Sequence, residues 1–196
     1  MLAGRRLKFW ITWVDSMEFS DAVRGRRSVR KYQNRTIPDS EIELLVDLAR
    51  HAPSSMNGQP WHFVIVKDDR TKAALAEIKN RFCPPEKQAY QADFLRMAPL
   101  IMIVCVDINR SFGREIENGI LAASIIMLGA QSRGLGSVYM SAYISDEPKL
   151  SEAIRKELGI PEGFAPVSVL PLGYPDEIPK PKEFCPLTEI IHIDQF

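Results

Sequence analysis

The segment from 119 to 130, GILAASIIMLGA, constrains the fold more than any other part of this chain. With the charged turn of Arg114, Glu115 and Glu117 before it, the pattern predicts a helix over 114–133 that is apolar nearly all round. A helix without a polar face is buried on all sides. The apolar run is too short to cross a bilayer, which needs about twenty residues. In a chain of 196 residues a second copy is the natural cover, so we expect a homodimer.

Helical and strand patterns alternate along the rest of the chain. A short helix is expected over 18–25, followed by an amphipathic helix in TIPDSEIELLVDLARHA, where Ser40 and Glu43 form a capping box. Further helices are expected over 70–80 and 147–158, and strands over 62–66, 100–107, 136–140 and 165–173. Strands separated by helices favour a layered α/β or α+β domain.

The expected domain spans 18–196 as a single unit. Residues 1–17 have the character of an N-terminal extension or a mis-assigned start, because Met17 begins MEFSDAVRGRRS, which has the appearance of a natural protein start. The Pro-rich and then apolar tail after 175 is too short to fold alone, and we expect it to wrap another surface.

Charge and cysteine content exclude several classes of function. Lys and Arg total 25 and balance 25 Asp and Glu, so nucleic acid and membranes are not expected partners. Three cysteines without a CxxC pair argue against structural zinc and disulfides, fit a reducing cytoplasm, and leave Cys105 as a core residue. Neither GxGxxG nor a P-loop occurs, so an anionic cofactor must be held by side chains and turn amides.

The motif RRSVR at 26–30 concentrates guanidinium groups near one hydroxyl. In an extended segment Arg26, Ser28 and Arg30 share one face. Arginine forks match the geometry of phosphate oxygens, which makes this segment a candidate phosphate site. From spacing alone, a solvated basic turn explains the motif equally well.

Three further segments carry polar or glycine-rich patterns. The loop APSSMNGQPWHF at 52–63 combines short polar side chains with an Asn-Gly turn, although an ordinary helix-to-strand connection explains it better when it is taken alone. GLGSVYMSAY at 134–143 permits tight backbone at which N–H groups could meet a ligand. PLGYPDEIPKPK at 171–182 ends in Lys180 and Lys182, for which solvated surface charge is the alternative.

The four motifs in this order resemble the FMN-dependent nitroreductase family. The likeness covers about 18–192 and lies in the ordered set RRSxR, PSSxNxQPW, GLGS and LGYPxExPxPK. It implies a three-layer α+β fold with a central, mainly antiparallel sheet flanked by helices. It also implies a homodimer with flavin at the interface and a C-terminal tail exchanged with the partner subunit.

The resemblance assigns cofactor-binding roles to residues of all four motifs. It implies that the FMN phosphate, ribityl chain and pyrimidine edge are held by Arg26, Ser28 and Arg30, with Arg27 alongside. It implies that a loop reaches the other subunit's FMN through Pro53, Ser54, Ser55 and Asn57. Backbone amides facing the flavin N5 and O4 would come from Met140, Ser141 and Ala142, and the basic pair closing on the phosphate from Lys180 and Lys182.

Two departures bear on these roles. Many relatives carry an arginine where this chain has Glu183-Phe184, which weakens the phosphate clamp. Some relatives carry an acidic side chain where Ser141 stands, which leaves the donor preference open. No residue is assigned as catalytic and no metal is expected. His51, His62 and His192 lack the partners of a general base.

The activity implied by the resemblance is hydride transfer from NAD(P)H through FMN to nitroaromatics, quinones or related small acceptors. Reductive dehalogenation, oxygen-dependent flavin breakdown and a non-catalytic FMN sensor or reservoir are the alternatives. In the family the region corresponding to 81–96 can cover the flavin. Phe82, Tyr90 and Phe94 are candidate walls of the substrate pocket, and core packing explains them equally well.

Overall fold

The computed structural model describes residues 17–83, 91–144 and 148–196. The proposed extension before Met17, Tyr90 and the first residue of the helix expected over 147–158 lie outside these ranges. Among the described residues, no helix is both long and apolar enough to cross a membrane.

A five-stranded antiparallel sheet forms the centre of the molecule. Its strands are β1 (Trp61–Val66), β2 (Leu100–Asp107), β3 (Gly136–Ser137), β4 (Met140–Ser141) and β5 (Phe164–Gly173). They lie in the order β1-β2-β5-β3, and β4 also pairs with β5. The apolar runs that predicted β2 and β5 form the two longest strands, because strands at the centre of a sheet are covered on both faces.

The prediction of a single strand over 136–140 is wrong in one respect, because the structure has two short strands there, β3 and β4. Gly136 pairs with Gly173, and Ser141 pairs with Ser168, in one continuous register. That register places Val138 opposite Pro171. Proline has no N–H to donate, so the ladder is interrupted at this point.

Helices cover both faces of the sheet, which confirms the three-layer α+β fold. They are α1 (Phe19–Gly25), α2 (Asp39–Ala49), α3 (Asp69–Arg81), α4 (Ile108–Ser111), α5 (Glu115–Ser132), α6 (Lys149–Glu157) and α7 (Leu187–Ile190). One core lies between the sheet and α3 and α6, and contains Ile101, Ile103 and Cys105. The other lies between the sheet and α2 and α5, and contains Met102 and Val104. Alternate residues of β2 thus enter opposite cores.

The capping box predicted for α2 does not form. The helix begins at Asp39 with Pro38 at the cap position, so Ser40 lies inside the first turn, and no side chain caps the helix. Proline sets a φ compatible with helix entry, which makes the serine unnecessary as a cap. The cap at α3 is Asp68, whose carboxylate accepts from the Thr71 N–H at 2.8 Å and so has a lowered pKa.

The apolar helix α5 is buried on only one side within a single chain. Its small residues face inward, and a Cβ at Gly119 would lie 2.5 Å from Val167 on β5. Its outward side chains include Ile116 and Leu121, each 40% exposed. Apolar residues of the tail are also exposed, among them Ile193 at 80%.

Candidate functional site

The basic motif at 26–30 forms an extended segment along the edge of the sheet. Ser28 makes a parallel bridge to Ser137, and the Val29 N–H donates to the Ser137 carbonyl at 3.0 Å. Val29 is buried, whereas Arg26 and Ser28 are partly exposed and Arg30 is exposed. The alternation that the sequence predicted therefore places Arg26, Ser28 and Arg30 on the face away from the core.

Arg27 is engaged locally instead of joining this face. Its guanidinium donates to the carbonyls of Arg24 and Arg26 at 2.7 Å and 2.8 Å, at the C-terminal end of α1. Cationic donors at a helix C-terminus satisfy carbonyls that lack intrahelical partners. Arg27 thus closes a helix in this structure, which gives it a role that the sequence did not suggest.

Glu177 joins the basic segment to the chain that leaves the sheet. One oxygen of its carboxylate accepts from the backbone N–H groups of Arg30 and Lys31, at 2.5 Å and 3.1 Å. The Asp176 N–H donates back to the Lys31 carbonyl at 2.9 Å. We call Glu177 with these two N–H groups the carboxylate latch. Sequence reasoning missed it, because the partners are backbone atoms that leave no mark on the motif.

The carboxylate latch also limits where the predicted lysine pair can lie. Lys180 is three residues beyond Glu177, so their Cα atoms are at most about 11 Å apart. Lys180 and Lys182 are both exposed. The Lys182 ammonium lies 5.1 Å from the centre of the Phe184 ring. The Cα atom of Lys180 thus lies within about 11 Å of that of Glu177, and Lys182 packs on the ring of Phe184.

The strand-end segment 140–142 lies beside the same region. The Lys79 ammonium donates to the Ser141 carbonyl at 2.6 Å. The Arg30 guanidinium lies 6.0 Å from the centre of the Phe94 ring, and both Phe94 and Met140 pack against the same core cluster. We call the basic segment, the carboxylate latch and this strand end the surface region: the segment is hydrogen-bonded to the latch, and its Ser28 bridges Ser137, three residues before β4.

Ala142 corrects the expectation of a ligand-facing amide. It is fully buried, and its N–H donates to the Val167 carbonyl at 2.9 Å. A paired strand amide is not available to a ligand, so the expectation fails for Ala142, while Met140 and Ser141 lie in β4 opposite Val169 and Ser168 of β5.

The loop after α2 has an unusual backbone. Met56, Asn57 and Gln59 have positive φ angles of 50°, 52° and 47°. Left-handed conformations are disfavoured for residues with a Cβ, at about 1 kcal/mol or more each, and such strain concentrates at functional sites. The Ser54 hydroxyl accepts from the Gln59 N–H at 3.0 Å, which helps to hold the turn.

Two contacts dock this loop onto the N-terminal part of α5 and the preceding turn. The Asn118 side-chain oxygen accepts from the Ser55 N–H at 3.0 Å. A Cβ at Gly58 would lie 2.0 Å from the Arg110 carbonyl oxygen, so only glycine permits this approach. Pro53, Ser54, Ser55 and Asn57 are thus presented from a fixed position, with Met56 82% exposed beside them.

The two predicted halves of the flavin site lie at opposite ends of α5. The loop is anchored at Asn118, whereas Gly25, next to the basic segment, contacts Gln131 near the other end. Thirteen residues separate these positions, which at 1.5 Å per residue gives about 20 Å. The anchors of the two groups within one chain are therefore well separated along α5.

The remaining candidates have structural explanations. Cys105 is 1% exposed in β2 and burial raises the pKa of its thiol to about 12, which confirms the prediction of a core residue. His62 meets the ring of Phe164 edge-on at 4.6 Å, and His192 stacks on Phe196 at 4.1 Å.

Comparison with known proteins gives one consistent result. A model of the nitroreductase family matches residues 23–174. A Methanothermobacter thermautotrophicus protein, provisionally named NADH dehydrogenase/NAD(P)H nitroreductase, is 36% identical, with 93% of this chain and 90% of that protein covered. A Thermotoga neapolitana iodotyrosine deiodinase is 27% identical, with 87% and 94% covered.

Solved structures agree with the sequence matches. An FMN-dependent nitroreductase from Clostridium difficile is similar with a TM-score of 0.78 at 25% identity, and the match covers 90% of this chain and 99% of that one. The family model spans most of the chain, and the archaeal relative covers nearly all of it. The chain belongs to the nitroreductase family.

Proposed function

We propose that this protein is an FMN-dependent oxidoreductase that takes hydride from NAD(P)H and reduces nitroaromatic, quinone or related small acceptors. The archaeal relative carries NAD(P)H nitroreductase in its name, and the clostridial structure is named as FMN-dependent. Bound FMN would supply the two-electron chemistry, while the chain supplies orientation, charge and exclusion of water.

The residues on the surface region fit such a cofactor. Arg26 and Arg30 present guanidinium groups on one face of an extended segment, and Lys180 is tethered nearby by the carboxylate latch. Three cations suit a phosphate that carries close to two negative charges. The Ser28 hydroxyl and the Met140 and Ser141 backbone suit the polar ribityl chain and flavin edge.

The observation that carries the proposal is a distance along α5. The loop at 53–57 is anchored at Asn118 and the basic segment lies near Gln131, about 20 Å away. If both halves hold one flavin, the loop must come from a second chain. A two-fold dimer would repeat the arrangement and create two equivalent sites.

The apolar surfaces support the same dimer. Outward residues of α5, such as Ile116 and Leu121, and tail residues such as Ile193 leave apolar area open to water in one chain. Soluble monomers rarely expose large contiguous apolar patches. We propose that the α5 face packs against its copy and that the tail is exchanged with the partner subunit.

The cofactor and the reaction are tested on the purified protein. We expect yellow protein that releases FMN on denaturation, identified by chromatography, and NAD(P)H oxidation that accelerates when a quinone or nitroaromatic is added. FAD as sole cofactor, or colourless protein that ignores added FMN, would contradict the cofactor. Bound FMN without turnover on either nicotinamide would favour the sensor or reservoir.

Reductive dehalogenation is the second candidate. The Thermotoga neapolitana deiodinase matches most of this chain, although at lower identity than the archaeal relative. Iodide release from iodotyrosine under anaerobic, reducing conditions distinguishes the two reactions. Iodide release as fast as nitroaromatic reduction would favour dehalogenation as the function. Oxygen-dependent flavin breakdown would be detected separately, by analysis of the products formed under oxygen.

The trans arrangement makes a separate prediction about mixed dimers. One chain carries Arg26→Ala with Arg30→Ala, and the other carries Ser55→Ala with Asn57→Ala. In the purified heterodimer one site collects both defects and the other none, so about one tight FMN per dimer is expected. Each parental homodimer should bind poorly. A folded heterodimer without any tight site would refute the trans arrangement. Arg50→Ala, at a surface ion pair with Asp47, is the matched control.

A further inference from the structure

One buried side-chain amide, that of Asn118, hydrogen-bonds the strained loop at 54–59 to the start of α5. Asn118 is 1% exposed, in the first turn of α5. Its side-chain oxygen accepts from the Ser55 N–H at 3.0 Å, and its side-chain nitrogen donates to the Ser111 carbonyl at 3.2 Å. Its backbone carbonyl accepts from the Trp61 indole N–H at 3.0 Å. The side chain thus ties the loop to α4, and the same residue contacts the start of β1.

The chemistry of this position requires both a donor and an acceptor on a short side chain. The Ser55 N–H needs an acceptor, whereas the Ser111 carbonyl needs a donor. Among side chains of this size an amide offers both, whereas a carboxylate only accepts. A leucine of similar volume would leave the part-buried Ser55 N–H without its acceptor, while the Ser111 carbonyl would keep only the Arg114 N–H as a donor.

We propose that Asn118 is a positioning residue that sets the loop for the flavin of the partner subunit. The inference rests on the proposed function, because it takes the loop to contact FMN across the dimer. Its own basis is geometric: three positive φ angles lie within four residues of the loop, next to a single side-chain anchor. A backbone in this conformation persists only where its surroundings hold it. Asn118 also lies on the helix proposed to form the dimer face, so subunit contact and loop position share one element.

The test uses Asn118→Asp, in which protonation of the new carboxyl switches the donor on and off. At pH 8 the carboxylate accepts from Ser55 but repels the Ser111 carbonyl, and we expect FMN to bind about 10-fold more weakly than to wild type, the scale of one lost buried hydrogen bond. At pH 5.5 a buried carboxyl is largely protonated, can donate again, and should restore the affinity to within about 3-fold. The FMN dissociation constant of the variant is divided by that of wild type at the same pH, which cancels the effect of titrating the FMN phosphate and other groups.

Two further variants and hydrogen exchange at Ser55 distinguish a loss of loop positioning from a general effect of the substitution or of pH. Asn118→Leu cannot be rescued by pH and should bind weakly at both values, while Asn109→Asp on the exposed side of α4 should match wild type throughout. Hydrogen exchange of the Ser55 amide, compared with wild type at the same pH, should be faster in Asn118→Leu at both values, because the amide has lost its acceptor, and unchanged in Asn118→Asp at pH 5.5.

The possible results separate the two levels of the proposal. Weak binding of FMN to Asn118→Asp at pH 8 that recovers at pH 5.5, with faster Ser55 exchange in Asn118→Leu, supports the positioning role. Equal FMN affinity in wild type and Asn118→Asp at both pH values overturns it, as does a loss that pH does not reverse. Wild-type protein that binds no FMN overturns the proposed function and the positioning role with it, whatever the Ser55 exchange shows.

Discussion

Removal of the carboxylate latch should weaken FMN binding more than it weakens folding. In Glu177→Ala the N–H groups of Arg30 and Lys31 lose a shared charged acceptor. Hydrogen bonds to charged groups contribute about 1.5–3 kcal/mol when buried, and less where water can replace the partner. Glu177 is partly exposed, so about 1 kcal/mol for each bond is a suitable scale.

A competing electrostatic effect is smaller. The carboxylate repels a bound phosphate, and at about 10 Å in water each pair of unit charges interacts by about 0.4 kcal/mol. Removing the charge therefore gains less than about 1 kcal/mol against a dianion, whereas losing both hydrogen bonds costs about 2 kcal/mol. The net expectation is FMN binding weaker by about 5- to 10-fold, since 1.4 kcal/mol corresponds to tenfold.

The matched variant Glu177→Gln separates the two effects. Its amide oxygen still accepts from both N–H groups, but the charge is gone, so we expect FMN affinity equal to or slightly tighter than wild type. The assay is quenching of FMN fluorescence on titration with apoprotein, with thermal unfolding as the check on folding. Wild-type affinity in Glu177→Ala would refute the role of the latch. Equal weakening in both variants would show that charge, not hydrogen bonding, is what matters.

Three further predictions concern other parts of the chain. Gly58→Ala should displace the loop from the Arg110 carbonyl, destabilise the protein by about 1–3 kcal/mol and lower FMN occupancy, measured by urea unfolding and flavin absorbance. Arg133→Met removes a two-bond pair with Glu41, whose pKa is lowered chiefly by the hydrogen bond from Arg133. This substitution should lower the free energy of unfolding by about 1 kcal/mol at pH 7. The difference in unfolding free energy between the variant and wild type should vanish as the pH falls through the lowered pKa of Glu41 in the folded state, which lies below its usual value near 4.5. A chain that starts at Met17 should remain folded and bind FMN like the full chain, and loss of solubility or flavin would show that 1–16 are structural.

Local sequence pattern predicted the elements well where one physical cause dominates. Continuous apolar runs gave β2 and β5, because central strands of the sheet are buried on both faces. Failures occurred where a partner distant in sequence decides the outcome. Pro171 interrupts the pairing of the strand expected over 136–140, although it lies more than thirty residues away. The serine cap predicted for α2 failed for a local reason, because Pro38 occupies the cap position two residues earlier.

The candidate site shows the same division. Alternation in the basic motif predicted which side chains share a face, because an extended segment turns successive residues to opposite sides. Sequence could not show that Arg27 closes α1, that the Ala142 N–H is paired, or that Glu177 and Asn118 hold backbone N–H groups. Each of these contacts involves main-chain atoms, which every residue carries, so no residue type marks them.

Helix α5 connects the fold to the proposed site through a difference in side-chain size. Its inward positions include Gly119, Ala122, Ala123, Gly129 and Ala130, which let the helix lie close to β5 and α2. Of its larger apolar side chains, Ile126 is fully buried, whereas Ile116 and Leu121 are left on the outer side. A helix that is apolar nearly all round can thus still have two faces: small residues pack closely within its own chain, and we propose that the exposed apolar side chains meet a copy of the helix. Because the strained loop docks at one end and the basic segment lies near the other, the helix that would bring two chains together would also bring the two halves of the flavin site together.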